Sequence, residues 1–320
     1  MPRNTRTKKN ILITGVTSTV GRHLAKHLYN DRRVGLIFGV AKEEMPYYFR
    51  DLDKSRFIYR TVNILKPREM KNLFYSKAFK NANINTVVHL AFYNKPLKGE
   101  DVHELNVEGT KRLLDMCLQV GHITKFVFKS SDIVYRLKPT NPVYLDENAE
   151  LNFDPHADQW IRDRVGADMI CRAMMDNKKM NIVILRFSSI FGRDVTSQFN
   201  AYFDSRVIFK TLGFNPMINL VHMSDVIKAL SLAVFKNVRG VFNIGGKDTA
   251  PITTFAEISG SLFVSLPEPL MGPANWIQRR LGLTRYYYSV DADRQKYMCL
   301  LDMRKAKKIL GYEPEGHLHL

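Results

Sequence analysis

The sequence has few cysteines and no pattern among them. Cys117, Cys171 and Cys299 are an odd number at wide spacing, with no CxxC pair and no histidine cluster beside them. Neither a disulfide framework nor a structural zinc site is expected, and the three read as reduced thiols in a cytoplasmic protein. Long apolar runs are missing too, since no stretch of about eighteen apolar residues occurs, and no membrane-spanning helix is expected. The start, Met1 to Lys9, is basic like a secretion signal, but the apolar stretch after it breaks at Thr14-Gly15, so it reads as a frayed tail. Repeats and low-complexity tracts are absent. Acid is in short supply: 31 Asp and Glu face 48 Lys and Arg, a formal charge of +17. Such a charge suits nucleic acid, an anionic membrane surface or anionic small molecules. Zinc-finger spacing, an RNP-like aromatic motif and a basic region leading into heptads are all lacking, which argues against nucleic acid.

Apolar residue is plentiful, at 45% of 320 residues, enough for one large domain or two lobes. In the first half short apolar runs alternate with longer amphipathic ones, the pattern of βαβ units around a parallel sheet. Strands are predicted at Ile11 to Thr14, Gly35 to Ala41, Phe57 to Val62, Thr86 to Ala91, Lys125 to Lys129 and Asn181 to Arg186. Helices are predicted after the first strand, from Val102 to Leu118, and from Gln159 to Met175, with the Pro-rich piece Lys138 to Pro155 as a loop. The expected architecture is α/β, a Rossmann-type doubly wound parallel sheet with a smaller C-terminal lobe. Residues 1–188 form the dinucleotide-binding part, 220–243 return to it, and 189–320 form a smaller substrate lobe.

Thr14-Gly15-Val16-Thr17-Ser18-Thr19-Val20-Gly21 follows the first strand and opens the first helix. In that context a glycine-rich turn can present backbone N–H groups to a pyrophosphate. Gly15 permits the sharp turn and Gly21 close packing of helix on strand, although two such glycines also serve any tight turn. The middle position, where a third glycine would let the phosphates approach, is Ser18, which takes up space and offers a hydrogen bond. At the end of the second strand Ala41 stands where an NAD site would carry an acid for the ribose 2′-hydroxyl. Lys42 offers a cation there instead, with Arg22 as a second. Any dinucleotide bound is therefore expected to be NADP rather than NAD, unless Lys42 is only a solvated strand end.

Further motifs follow in order: Val88-His89-Leu90-Ala91, Asn106-Val107-Glu108-Gly109-Thr110, and Phe126 to Tyr135 with Ser130-Ser131 at its centre. Later come Leu185 to Gly192, Val221 to Val226, Phe242-Asn243-Ile244-Gly245-Gly246, and Ile309 to Pro314 with Asp302 ahead of it. Over roughly residues 10 to 315 the chain resembles the extended short-chain dehydrogenase/reductases, the NAD(P)-dependent sugar-nucleotide epimerase/dehydratase group. The resemblance implies a dinucleotide on the first lobe and a nucleotide-linked substrate on the second. Gly15, Thr17, Ser18, Thr19, Val20, Gly21, Ala41, Lys42, Asn63, Leu90, Ala91, Asn106 and Arg164 would hold the cofactor. Asn63 stands where the family carries an aspartate toward adenine, and its amide oxygen can still accept a hydrogen bond.

The family's chemistry uses a tyrosine as acid/base and a lysine one helical turn on. The cation lowers the tyrosine pKa from ~10 toward working pH. Here those positions read Trp160 and Arg164. An indole only donates a hydrogen bond and arginine stays charged, so the usual proton relay is broken. Trp160 could stack on a ring and Arg164 contact a phosphate, or both could simply pack the helix. Ser131 matches the third catalytic member, though a hydroxyl at a strand end also caps turns. Tyr135 and His156 are the replacement acid/base candidates, the first weighted as structural and the second as a solvated loop residue; Asp163 is expected to pair with an arginine. No metal site is expected.

The leading expectation is a catalytically divergent member that binds NADP or another nucleotide and acts as a sensor or partner subunit. One alternative is an active oxidoreductase or epimerase using Ser131 with a relocated acid. Another is a charge-driven membrane or nucleic-acid binder, for which the basic, amphipathic stretch Asn275 to Leu281 could touch a membrane, a substrate lid or dimer surface being the plainer reading. By resemblance, a homodimer would form through the helices Val102 to Leu118 and Gln159 to Met175.

Overall fold

The computed structural model describes residues 8–93, 100–192, 194–195, 197–288 and 292–317. The expected N-terminal tail lies outside them as far as residue 7. The first five apolar runs form strands β1 (Lys9–Thr14), β2 (Val34–Ala41), β3 (Phe57–Thr61), β4 (Thr86–His89) and β5 (Lys125–Ser131). With Asn181–Phe187 and Gly240–Ile244 they make a seven-stranded parallel sheet in the order Gly240–Ile244, Asn181–Phe187, β5, β4, β1, β2, β3. Both faces are covered, which explains why the strands read as continuous apolar runs rather than alternating ones. In β1, Ile11 and Ile13 join a core with Leu24 and Leu28, while Leu12 joins a second core with Phe74, Phe79 and Leu113. The order reverses between β1 and β4, and in doubly wound sheets a crevice for ligands opens outside the strand ends at that point.

Several elements differ from the sequence reading. Two short helices, Pro67–Tyr75 and Lys77–Ala82, follow β3, the second capped by Ser76, whose hydroxyl accepts from the Phe79 N–H. The helix expected from Val102 is interrupted by a wider turn at Glu104–Glu108 before continuing as Gly109–Val120. Such π-turns cluster at functional sites, and this one buries Asn106 completely. Inside the Pro-rich loop, Tyr144–Leu145 pairs with Leu300–Leu301.

Beyond the sheet, Ser189–Phe191, Met217–His222 and Asp248–Pro251 form a three-stranded sheet, and Val207–Thr211 pairs with Leu262–Leu266. The helix Met223–Phe235 packs back against the first helix, Thr19–Tyr29, in the main core.

A buried polar network joins the late motifs. Arg186 and Asp168, both fully buried, form a two-pronged ion pair at 2.6 and 3.0 Å. Ser130 donates to Asp168 at 2.6 Å, Arg186 donates to the Tyr135 hydroxyl at 3.0 Å, and Tyr135 donates to Asn243 Oδ1 at 2.6 Å. A charge this deep is tolerable only when paired and hydrogen-bonded throughout.

Candidate functional site

The turn after β1 is tight and leaves no room for a side chain at either glycine. Gly15 lies at φ +66°, and a Cβ there would come 2.8 Å from the backbone of Ala91. At Gly21 a Cβ would come 2.3 Å from the Gly15 carbonyl oxygen. Ser18 does not project into the turn as a free hydroxyl. It caps the helix, donating to Gly15 O at 2.7 Å and accepting from the Gly21 N–H at 3.1 Å. The missing middle glycine is thus replaced by an N-cap that ties the two remaining ones together.

Two cavities meet at this turn and share Thr17, Ser18 and Leu90. The first, about 410 Å³, lies at the ends of β2 and β3 and is lined by Gly15, Ala41, Lys42, Asn63, Ala91 and Tyr93 among others. Here Asn63 Oδ1 accepts from the Leu65 N–H at 3.0 Å. Lys42 leans on Tyr93, its Nζ 5.3 Å from the ring centre. Glu43, which the sequence reading passed over, accepts from Thr17 Oγ1 at 2.9 Å and sets a carboxylate on the same rim. Arg22, read as a second cation for this site, is instead bound to Asp194 at 2.7 Å, a residue 172 positions away.

The second cavity, about 320 Å³, is lined by Ser131, Trp160, Arg164 and, from beyond the main sheet, Ser189 and Gln198. Trp160 Nε1 donates to the Tyr93 carbonyl at 3.2 Å, and the Arg164 guanidinium lies 4.2 Å over the Phe92 ring. Both therefore hold the segment after β4. Asn106 grips the same segment, its Oδ1 accepting from the Tyr93 N–H at 2.9 Å. Burial pushes the Arg164 guanidinium down to about 9, Asp132 opposing the shift. Ser131 donates to Asp132 Oδ1 at 3.1 Å and caps the turn Asp132–Val134 while still facing the cavity.

The residues read from the sequence as alternative acid/base candidates do not line this cavity. Tyr135 is locked between Asn243 and Arg186, and its hydroxyl is pushed up to about 12 by burial. His156 is exposed on its loop, its N–H donating to Asp154. Asp163 meets His103 Nδ1 at 2.7 Å rather than an arginine. His89 is structural: it bridges Thr14 and Thr110 at 2.7 and 3.0 Å, and burial lowers its pKa to about 3.

Sequence reasoning missed Lys129. It lines the second cavity and makes no hydrogen bond or ion pair among the described residues. Burial, reinforced by the Arg164 charge, lowers its amine to about 7. The signal was present: strand side chains alternate, so Lys129 shares a face with Ser131. Arg294 was missed as well, and it pairs with the buried Asp132 at 2.9 Å. Among the described lining residues, Lys129, Arg164 and Arg294 face a single carboxylate, Asp132.

Residues 11–245 match the NAD dependent epimerase/dehydratase family. The chain belongs to that family. It is 24% identical to an uncharacterized UDP-glucose epimerase of Bacillus subtilis, over 96% of this chain and 94% of the relative. It is 23% identical to a sterol-4-alpha-carboxylate 3-dehydrogenase of Candida albicans, over 97% and 94%. Among solved structures, the Bordetella bronchiseptica enzyme WbmG in complex with NAD and UDP superposes with a TM-score of 0.72 at 14% identity, covering 99% of this chain and 92% of that one. A UDP-glucose 4-epimerase of Thermotoga maritima with UDP-glucose gives 0.69 at 18%, covering 96% and 94%.

Proposed function

We propose that the protein binds a nicotinamide dinucleotide across the two cavities and a nucleotide-linked small molecule against the second lobe, and that it acts without the family's tyrosine-based proton transfer, as a nucleotide-responsive sensor or partner subunit. One observation carries this: the side chains standing at the tyrosine and lysine positions are spent on holding residues 92 and 93. The indole proton is committed to a carbonyl, and an indole cannot cycle a proton near neutral pH. The dinucleotide would lie on residues 1–188 with 220–243, its phosphates at the turn between Gly15 and Gly21, and the second ligand on 189–320. Bound nicotinamide supplies hydride acceptance or donation. Gly15, Ser18, Ala41, Asn63 and Leu90 contribute walls, and Lys42 favours the 2′-phosphate of NADP. The cations beside Ser131 repel the positively charged ring of an oxidised nicotinamide, so reduced forms bind more tightly.

Calorimetric titration with NADPH, NADP, NADH and NAD tests this reading. NADPH should bind most tightly, and Lys42→Ala should remove its advantage over NADH. Silence with all four dinucleotides refutes it.

Lys129 favours a second reading, in which the protein is an active oxidoreductase or epimerase. An amine near neutrality beside Ser131 can take the proton of a substrate hydroxyl, the task the tyrosine performs elsewhere in the family. Turnover of a UDP-sugar panel, rising with pH through an inflection near 7 and lost in Lys129→Met, would establish it over the first. We also propose a homodimer through the helices Gly109–Val120 and Gln159–Ala173; light scattering at the monomer mass refutes that.

A further inference from the structure

The helix Glu268–Arg280 is built inside out. Its inward side consists of Met271, Asn275 and Gln278. The two amides are fixed by backbone: Asn275 Oδ1 accepts from the Tyr288 N–H at 3.0 Å, and Gln278 Nε2 donates to Val207 O at 2.9 Å. Its outward side carries the large apolar groups, with Leu270, Trp276 and Ile277 between 51% and 66% exposed. Leu281 and Leu283, just past the helix end, are 66% and 61% exposed. Positions 270, 277 and 281 recur at helical spacing, so they form one stripe rather than scattered singles. A surface helix ordinarily turns its apolar stripe to the core, and a contiguous exposed one marks a surface that something covers.

Charge identifies the cover. From 269 to 290 the sequence has Arg279, Arg280 and Arg285 and no acidic residue. The neighbouring Glu268 is already paired with Lys296 at 2.8 Å. A second copy, itself +17 and presenting the same arginines, would set like charges face to face. A surface of negative headgroups over hydrocarbon complements both features at once: the stripe enters the acyl boundary, an indole favours that depth, and arginines reach back to the headgroups. No helix among the described residues is long and apolar enough to cross a membrane, and a stripe of this length suits attachment in the plane of the interface. We propose that the Glu268–Leu283 face docks the protein on anionic lipid bilayers. This does not depend on the nucleotide reading.

The full-length protein is floated with vesicles of phosphatidylcholine alone or with phosphatidylglycerol added. Flotation is expected only with the anionic vesicles and should fall steeply with salt. Arg280→Gln with Arg285→Gln should weaken partition about thirtyfold, from the usual contribution of one basic residue near an anionic surface. Trp276→Ser with Ile277→Ser should abolish it while leaving the circular dichroism melt in place, since both side chains are exposed. With only two tryptophans in the chain, a Trp160→Phe background lets Trp276 report alone, and its emission should shift to the blue on anionic vesicles. Absence of flotation at low salt overturns the proposal. Flotation indifferent to the serine substitutions does so too, as does a dimer that those substitutions dissociate, which would make a second copy the occupant.

Discussion

Replacing Lys129 by methionine should stabilise the protein in acid and cease to do so in alkali. The amine is held near 7, against 10.5 for an ordinary lysine, chiefly by burial and then by the Arg164 charge. Between those two pH values the folded protein binds fewer protons at this site than the unfolded chain, so the cost of Lys129 to stability is complete below about pH 7 and fades toward 10.5. Taken whole, the shift corresponds to about 5 kcal/mol. The side chain is only half-buried and borders an open cavity, and solvent screening should leave ~2 kcal/mol of that. In a chain of this length ~2 kcal/mol moves the midpoint of melting by about 3 °C. Urea unfolding of both proteins at pH 6, 8 and 10 gives the difference directly. A gain at pH 6 that shrinks at pH 8 and falls to a small remainder at pH 10 is expected. A difference constant across the three would mean that methionine merely packs better, and a loss at pH 6 would mean that Lys129 has a partner the cavity conceals.

Other residues give further tests. Arg186→Met strands the Asp168 carboxylate in the core and should cost about 3 to 5 kcal/mol by urea unfolding, much of it recovered when Asp168→Leu is added. Gly15→Ala forces a side chain into a left-handed backbone and against Ala91; calorimetry should show dinucleotide binding reduced at least tenfold. His89, held near 3, must stay neutral in the fold, so stability should fall as pH drops from about 6.5 toward 3, and His89→Gln should flatten that slope.

The sheet was legible because its strands are buried on both faces and read as apolar runs whatever surrounds them. The tight turn was legible because its two glycines stand at a strand-to-helix junction. Trp160 and Arg164 could be placed by counting from Ser131, but not what they do, since Phe92 and Tyr93 lie some seventy residues earlier in the chain. The partner of Arg22 was hidden for the same reason: Asp194 lies 172 positions on, beyond the strand Ser189–Phe191. Lys129 was overlooked because lysine in a strand ordinarily marks a solvated end, and only distant residues such as Gln198 and Arg294 close that end into a cavity. The inverted helix at 268–280 misleads in another way, because its polar residues look outward-facing until the backbone groups of Val207 and Tyr288 are seen to hold them.

The network around Arg186 binds Ser130 from β5, Tyr135 from the loop beyond it, Asp168 from a helix and Asn243 from the last strand of the sheet. No one of these segments can detach without leaving a charge or a hydroxyl in the dry interior. Amide hydrogens of 181–187 and 240–244 should therefore exchange together and only through global opening, so that the edge of the sheet, usually the first part of a protein to fray, is here among the last to let go.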